Sequence, residues 1–388
     1  MSRYVETFRY GVRFVVNAVV ATILSAGAAF AQDVDRQEGS AWEEIAPFFQ
    51  PPAELAEGSD RYRSPLVFDD GRTVRIPEHW KERRREILRF WHKSLGPWPP
   101  LIEKPRVNVI ETQNRENFTQ RKVRIEVAPG LETNCYLLVP ETEGRRPAVL
   151  VVYYDAETGA GLNPKSELRD FGYQLSRRGF VTLSIGWPRD YTRRESPSLQ
   201  PLSCLAYIAA NCYNALAALP EVDPERVGIV GHSFGGKWAM FASCLYDKFA
   251  CAAYSDPGIV FDEKRPNVNY WEPWYLGWEA GRTRKPGVPS EDNPRTGPYK
   301  MLVETGHDLH ELHALMAPRP FLVSGGAEDR PERWRALRHA IAVNRLLGYE
   351  NRVAMTNRQG HSPTGESNDQ LYRFFEHFLK SESPPKGE

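Results

Sequence analysis

The chain has 388 residues, 41% of them hydrophobic, and its 50 lysines and arginines balance 50 aspartates and glutamates. This composition is sufficient for a sizeable apolar core. The balanced charge argues against a protein that binds nucleic acid or an anionic membrane.

The first 31 residues have the pattern of a secretory signal peptide. Three arginines precede an apolar run over 14–27, and Ala29-Phe30-Ala31 then fits a small-residue cleavage site. The apolar run is shorter than the roughly 20 residues that a membrane-spanning helix needs. We therefore expect a periplasmic or secreted protein that has no membrane contact after cleavage.

Residues 32–100 are predicted to form an N-terminal arm and a helix that pack on the body of the protein. The arm is polar and weakly patterned as far as about residue 76. Residues 79–94 follow with apolar side chains on one helical face, Trp80 and Trp91 among them, which predicts a surface helix with one buried stripe.

The rest of the chain, 101–388, is predicted to form one α/β domain. Strand-like runs cover 107–112, 122–127, 135–139, 148–154, 179–185, 227–230, 250–255, 319–324 and 352–355. The first three alternate as antiparallel edge strands do, whereas most of the later ones are continuously apolar and are separated by helical segments. This order predicts a mostly parallel, doubly wound sheet with antiparallel strands at its N-terminal edge.

The strand over 227–230 leads into Gly231-His232-Ser233-Phe234-Gly235, and helix-forming residues follow at once. Gly-x-Ser-x-Gly between a strand and a helix is typical of the nucleophile elbow of the α/β-hydrolase fold. The turn at Ser233 is too tight for side chains two residues before and after it, which explains both glycines. We predict that Ser233 is a nucleophile and that 101–388 is a catalytic domain.

A serine hydroxyl needs a base and an orienting carboxylate, which α/β-hydrolases carry in the order serine, acid, histidine. His361 follows the last strand and is the predicted base. Asp329 follows the preceding strand and is the predicted acid. Its neighbour Glu328 and Asp256, at the end of the strand over 250–255, are the alternatives.

Two backbone N–H groups are expected to stabilise the negative charge that develops on the substrate oxygen. Phe234, directly after the predicted nucleophile, is expected to supply one of them. The loop after the strand over 148–154 is expected to supply the other, at Asp155, on positional grounds alone.

An aromatic-rich insertion is predicted over 259–300, after the sixth strand of the hydrolase sheet. Such insertions lie above the carboxyl edge of the sheet, where they form lids or substrate walls. Trp271 and Trp274 are predicted to contact substrate, with burial in the core as the alternative.

The three histidines at 307, 310 and 313 repeat at intervals of three residues, a spacing that drifts around a helix. We interpret them as capping or packing residues rather than metal ligands. No metal and no other cofactor is predicted.

Two segments resemble those of glucuronoyl esterases. Residues 231–237, Gly-His-Ser-Phe-Gly-Gly-Lys, are similar to the elbow of that family, and residues 310–320 are similar to the segment before its seventh strand. The family carries an arginine after the serine, whereas this chain has Phe234. Acetylxylan esterases and dienelactone hydrolases share the implied fold.

The resemblance implies a serine esterase whose triad is Ser233, His361 and either Asp329 or Glu328. It also implies that Lys237 contacts a uronic acid. The sequence thus predicts an exported serine esterase that cleaves a glucuronoyl or acetyl ester on a small-molecule or polysaccharide substrate. A prolyl-oligopeptidase-like peptidase and a non-catalytic, hydrolase-like binding module are the alternatives.

Overall fold

The computed structural model describes residues 42–56, 58, 60–189 and 199–380. The signal peptide predicted over 1–31 therefore lies outside the described residues. The chain divides into two units between residues 47 and 48. The sheet, its helices and the candidate site all belong to the second unit. Within the described residues, no helix is both long and apolar enough to cross a membrane.

One nine-stranded sheet runs through the described part of the chain. Its strands are β1 (Val107–Arg115), β2 (Phe118–Ala128), β3 (Leu131–Pro140), β4 (Arg146–Val152), β5 (Val181–Ile185), β6 (Val222–His232), β7 (Cys251–Ser255), β8 (Phe321–Gly325) and β9 (Val353–Asn357). Their order in the sheet is β1-β2-β3-β5-β4-β6-β7-β8-β9. Pairs from β1 to β3 and between β3 and β5 are antiparallel, and all the other pairs are parallel.

Helices connect the strands and cover the sheet. They are α1 (Ala53–Ala56), α2 (Pro77–Leu95), α3 (Ala156–Gly159), α4 (Phe171–Arg177), α5 (Pro201–Ala217), α6 (Phe234–Leu245), α7 (Gly297–Glu304), α8 (His310–Ala314), α9 (Trp334–Leu346) and α10 (Gly365–Lys380). Short 3₁₀ turns cover Ala46–Phe49 and Pro331–Arg333.

Burial increases from the N-terminal edge of the sheet towards its centre. The alternation predicted over 135–139 does not appear in β3, where all of these residues are buried. β1 is exposed along most of its length, with Val109 and Ile110 facing solvent, whereas β4, β5, β7 and β8 are buried almost throughout. Strands buried on both faces are mostly apolar. The buried polar side chains in β5 are hydrogen-bonded: Thr182 to the Ser176 hydroxyl and Ser184 to the carbonyl oxygen of Ala156. The predicted mostly parallel sheet with antiparallel N-terminal edge strands is confirmed.

Several strand boundaries differ from the prediction: β6 begins at Val222 rather than at residue 227, and β1 extends to Arg115 rather than ending at residue 112. For β8, which begins at Phe321 rather than at residue 319, the reason is local. Pro320 has no N–H to donate to a neighbouring strand, so the ladder starts after it.

The surface helix predicted over 79–94 corresponds to α2, which buries one apolar face. α2 begins with Pro77, whose missing N–H costs nothing at a helix start. It buries Trp80, Ile87 and Trp91 in the same apolar cluster as the central strands.

His310 and His313 lie in α8, His307 lies just before it, and each of the three makes its own contacts. The ring of His307 stacks on Phe90 and its Nδ1 lies 2.8 Å from Glu311. His310 Nε2 lies 2.7 Å from the carbonyl oxygen of Arg63. Among the described residues, no group of three or more His, Cys, Asp or Glu side chains could hold a metal ion.

His313 is fully buried and is held in its neutral form. Its Nε2 lies 2.9 Å from the carbonyl oxygen of Ile259, which can only accept, so Nε2 carries a proton and donates it. Burial lowers the pKa of His313 to about 4, with the nearby His310 acting in the same direction and the hydrogen bond to Ile259 opposing it.

We expect acidification to destabilise the fold through His313. Between its folded pKa of about 4 and its ordinary value of 6.5, the unfolded chain binds a proton that the folded chain excludes. The contribution of His313 to the free energy of unfolding therefore decreases as the pH falls from about 6.5 towards 4. His313→Gln keeps a donor for Ile259 but does not titrate. Its unfolding free energy should lose about 1 to 3 kcal/mol less than that of the wild type over this range.

Urea unfolding of both proteins at pH 7 and pH 4.5 measures this difference. The buried carboxyls of Asp308 and Asp329, whose pKa values are raised to about 6, change stability in the opposite direction with pH. They are present in both proteins and cancel from the comparison. An equal decrease in unfolding free energy between pH 7 and pH 4.5 in the wild type and in His313→Gln would contradict the prediction.

Candidate active site

The carboxyl ends of the parallel strands meet at one edge of the sheet, and the candidate site lies there. β6 ends at His232 and α6 begins at Phe234, so Ser233 alone forms the turn. Its φ of 55° and ψ of −111° put it in a region that residues with a β-carbon rarely adopt. Ser233 therefore lies on a strained turn of the kind the sequence predicts.

The two glycines of the motif make this turn possible. A β-carbon on Gly231 would lie 2.2 Å from the carbonyl oxygen of Gly235. A β-carbon on Gly235 would lie 2.1 Å from the carbonyl oxygen of Val152, at the end of β4. At both positions a β-carbon would overlap a backbone oxygen, so only glycine fits.

Three side chains form a hydrogen-bonded chain at this edge. His361 Nε2 lies 2.9 Å from Ser233 Oγ, and His361 Nδ1 lies 2.7 Å from Asp256 Oδ2. A carboxylate only accepts, so the proton of the neutral imidazole is on Nδ1 and Nε2 is free to accept from the serine hydroxyl. This is the tautomer in which a histidine can act as a base towards serine.

The acid beside His361 is Asp256, the alternative, and not Asp329. This corrects the predicted assignment. Asp256 directly follows β7, which pairs with β6, the strand that leads to Ser233, whereas Asp329 follows β8, one strand further away. The loop after β8 passes so close to Asp256 that a β-carbon on Gly326 would lie 2.8 Å from its carboxylate.

Asp329 and Glu328 make other contacts. The Asp329 carboxylate accepts from the backbone N–H groups of Gly258 at 2.7 Å and Ile259 at 2.6 Å. Burial, followed by the charge of nearby Asp256, raises the pKa of Asp329 to about 6. Glu328 accepts from the side-chain amide of Asn267. Neither carboxylate orients His361.

Two further side chains support His361, and the sequence reasoning missed both. Arg358 donates to the carbonyl oxygens of His361 at 2.7 Å and Ser324 at 2.8 Å, which ties the histidine loop to β8. His232 is buried with its ring centroid 4.8 Å from that of His361. Burial and the adjacent His361 lower the pKa of His232 well below 6.5, so it adds no positive charge beside the base. His232 occupies a variable position of the Gly-x-Ser-x-Gly motif and Arg358 lies in the loop before His361, so the motif itself assigns neither a role.

The two expected oxyanion donors lie on neighbouring segments of the chain that contact each other. Phe234 is the first residue of α6, and a first helical residue has no intrahelical acceptor for its N–H. Asp155 caps α3, and its carboxylate accepts from the Thr158 N–H at 2.7 Å. The ring of Phe234 stacks on Tyr154 with 4.6 Å between centroids, and Trp187 packs against the same ring. This aromatic contact was not predicted.

The predicted substrate-contacting side chains are mostly buried. Lys237 is 2% exposed, and its Nζ donates to the carbonyl oxygens of Pro257 at 2.5 Å and Asn267 at 3.2 Å. Burial lowers the pKa of Lys237 to about 8. This arrangement contradicts a direct contact between Lys237 and a uronic acid.

The two predicted tryptophans differ in burial. Trp271 is 1% exposed and donates to the carboxylate of Glu272, so it belongs to the core and not to a substrate wall. Trp274 is half-buried and keeps part of its surface open. Of the aromatic wall predicted from these two residues, only Trp274 retains exposed surface.

The sheet order, the strained serine on the turn between β6 and α6, and a histidine after the last strand define the α/β-hydrolase fold. The prolyl oligopeptidase family matches residues 209–383, a segment that includes Ser233, Asp256 and His361. Comparison with curated proteins found no match.

Three solved structures are similar to this chain. A glucuronoyl esterase from Solibacter usitatus is 17% identical, with a TM-score of 0.65 over 82% of this chain and 98% of that one. A glucuronoyl esterase from Teredinibacter turnerae is 18% identical, with a TM-score of 0.61 over 81% and 89%. A carbohydrate esterase family 15 glucuronoyl esterase from Caldicellulosiruptor kristjansonii is 20% identical, with a TM-score of 0.58 over 87% and 95%. The predicted likeness to glucuronoyl esterases is confirmed at the level of the fold.

We expect Gly231→Ala to prevent the elbow from forming, since its β-carbon would overlap the carbonyl oxygen of Gly235. Relief requires a backbone shift, which should cost at least about 2 kcal/mol of unfolding free energy. Gly365→Ala is the matched control, because a β-carbon there meets nothing within 4 Å and the residue opens α10. Thermal unfolding should show a large loss for the first variant and none for the second. Equal midpoints would contradict the steric argument.

Proposed function

We propose that this chain is a serine esterase that hydrolyses a carboxylic ester on a carbohydrate, of the glucuronoyl or acetyl type. One observation carries the proposal: the hydrogen-bonded chain from Ser233 through His361 to Asp256, with distances of 2.9 Å and 2.7 Å. The carbohydrate assignment is supported by the likeness to structures that are glucuronoyl esterases.

In the first half of the reaction, Ser233 Oγ attacks the acyl carbon while His361 Nε2 takes the hydroxyl proton. The Asp256 carboxylate stabilises the imidazolium that forms. The N–H groups of Phe234 and Asp155 donate to the developing oxyanion. The tetrahedral intermediate collapses, the carbon–oxygen bond to the alcohol breaks, and His361 delivers its proton to the leaving alcohol.

In the second half, water attacks the acyl-enzyme and His361 takes its proton. The free acid leaves and the proton returns to Ser233 Oγ, which restores the starting state. Every step uses side chains and backbone groups of this chain together with water. The signal-like pattern over 1–31 supports the additional proposal that the enzyme acts in the periplasm or outside the cell.

A peptidase of the prolyl-oligopeptidase type is the second candidate, and the family match over 209–383 favours it. It would use the same Ser233, His361 and Asp256 on an amide bond. The two candidates therefore differ in substrate and not in the chemistry of the nucleophile.

We expect Ser233→Ala to reduce the rate of p-nitrophenyl acetate hydrolysis by at least about 10³-fold. The alanine lacks the attacking oxygen but fits the same turn, so the fold should remain. Initial rates and thermal unfolding of both proteins test this. Unchanged rates in a folded variant would leave only the non-catalytic, hydrolase-like binding module.

A substrate panel separates the two catalytic candidates. We expect kcat/KM for benzyl glucuronate or acetylated xylan to exceed that for a chromogenic prolyl dipeptide amide by at least about 10-fold, a difference of about 1.4 kcal/mol in transition-state stabilisation. Each activity must disappear in Ser233→Ala to be assigned to this site. Preference for the amide would replace the esterase proposal with the peptidase.

A further inference from the structure

The segment over 256–259 carries the acid that faces His361, and its first residue is strained. Asp256 has a φ of 49°, in the left-handed region. A residue with a β-carbon stays in that region only where its surroundings hold it there. The contacts of this segment therefore decide whether Asp256 points at His361.

Asp329 holds the segment from one side. Its carboxylate is fully buried and accepts from the N–H groups of Gly258 and Ile259, at 2.7 Å and 2.6 Å. In return, the N–H of Asp329 donates to Asp256 Oδ1 at 2.8 Å, and the N–H of Glu328 donates to the same carboxylate. The two aspartates thus bind each other's loops reciprocally.

Lys237 holds the segment from the other side. Its ammonium, carried by α6, donates to the carbonyl oxygen of Pro257 and lies 5.0 Å from the centroid of the Tyr270 ring. The Tyr270 hydroxyl donates to the carbonyl oxygen of Gly258 at 2.8 Å. Burial lowers the pKa of Lys237, and the negative charge of nearby Asp329 opposes this effect by favouring the ammonium form.

We propose that Asp329 and Lys237 are positioning residues that hold segment 256–259 so that the Asp256 carboxylate faces His361. The inference rests on the proposed function, because the consequence it names is catalytic. Both side chains are buried and act through the segment, not through the substrate. Charged partners suit this task because their hydrogen bonds are roughly twice as strong as neutral ones.

Asp329→Asn tests the first half of the proposal. An asparagine side chain offers one acceptor oxygen and an NH₂ group that opposes the second backbone N–H. We expect kcat for p-nitrophenyl acetate to fall about 10- to 100-fold, since Asp256 loses its alignment, while KM stays within about twofold. Unchanged kcat in the folded variant would overturn the proposal.

Asp308→Asn is the matched control. Asp308 is also a buried carboxylate that accepts two backbone N–H groups, from Phe261 and Leu309, and its pKa is likewise raised to about 6. Its contacts do not involve Asp256. It should lower thermal stability about as much as Asp329→Asn does, with kcat within about twofold of wild type. An equal fall in kcat in both variants would mean that general destabilisation, and not positioning, explains the effect.

A double-mutant cycle with Asp256→Asn shows whether Asp329 acts through Asp256. Loss of the triad acid should lower kcat by about 10⁴-fold. If Asp329 acts only by positioning that acid, Asp256→Asn/Asp329→Asn should be no slower than Asp256→Asn alone. If the fold-decreases in kcat of the two single variants multiply in the double variant, Asp329 acts independently of Asp256, which would overturn the proposal.

Lys237→Met provides a second route if Asp329→Asn does not fold, because methionine keeps the apolar stem and removes only the charge. We expect kcat to fall about 10-fold with KM unchanged. A rise in KM with kcat unchanged would make Lys237 a substrate-binding residue and overturn its positioning role. Ser233→Ala distinguishes failure of the proposed function from failure of the positioning proposal. Esterase activity that survives in Ser233→Ala would refute the proposed function. A wild-type kcat in the Asp329 and Lys237 variants would refute only their positioning role.

Discussion

The structure depends on a backbone constraint at the ends of two adjacent strands. Ser233 after β6 and Asp256 after β7 both have left-handed φ values, 55° and 49°. Each bend turns a functional side chain out of the sheet towards the loop that carries His361. Such strain persists only when the surrounding structure fixes it. The two bends are fixed in different ways.

At Ser233 the bend is possible because two neighbouring residues lack side chains. Gly231 and Gly235 have no β-carbon, so the elbow closes against the end of β4. At Asp256 the bend is held by side chains that are present: Asp329 and Lys237 bind the backbone of the segment that follows. The glycines that permit the bend at Ser233 are its neighbours in sequence. The hydrogen bonds that hold the segment after Asp256 join residues up to 71 positions apart.

This difference explains what the sequence could predict. The elbow was recognised because its glycines lie within two residues of Ser233, and His361 because it follows the last strand. The sequence favours Asp329 and leaves Asp256 as an alternative, since both follow buried strands and only their three-dimensional contacts distinguish them. The resemblance to glucuronoyl esterases implies that Lys237 contacts substrate, but α6 packs against the segment after β7 and the Lys237 side chain is buried there. Trp271 could not be separated from Trp274 by sequence, because the fold of the insertion decides which one is covered.

The aromatic contact beside the elbow has a consequence for the chemistry of its surroundings. Phe234 stacks on Tyr154 and packs against Trp187, so it joins the elbow to the loop after β4 through dispersion and apolar burial. Dissolved ions screen attractions between exposed charges but do not screen such contacts, and salts such as sulfate strengthen apolar burial. The start of α6 and the loop after β4, which carry the expected oxyanion donors, are therefore held together by a contact that screening by dissolved ions does not weaken.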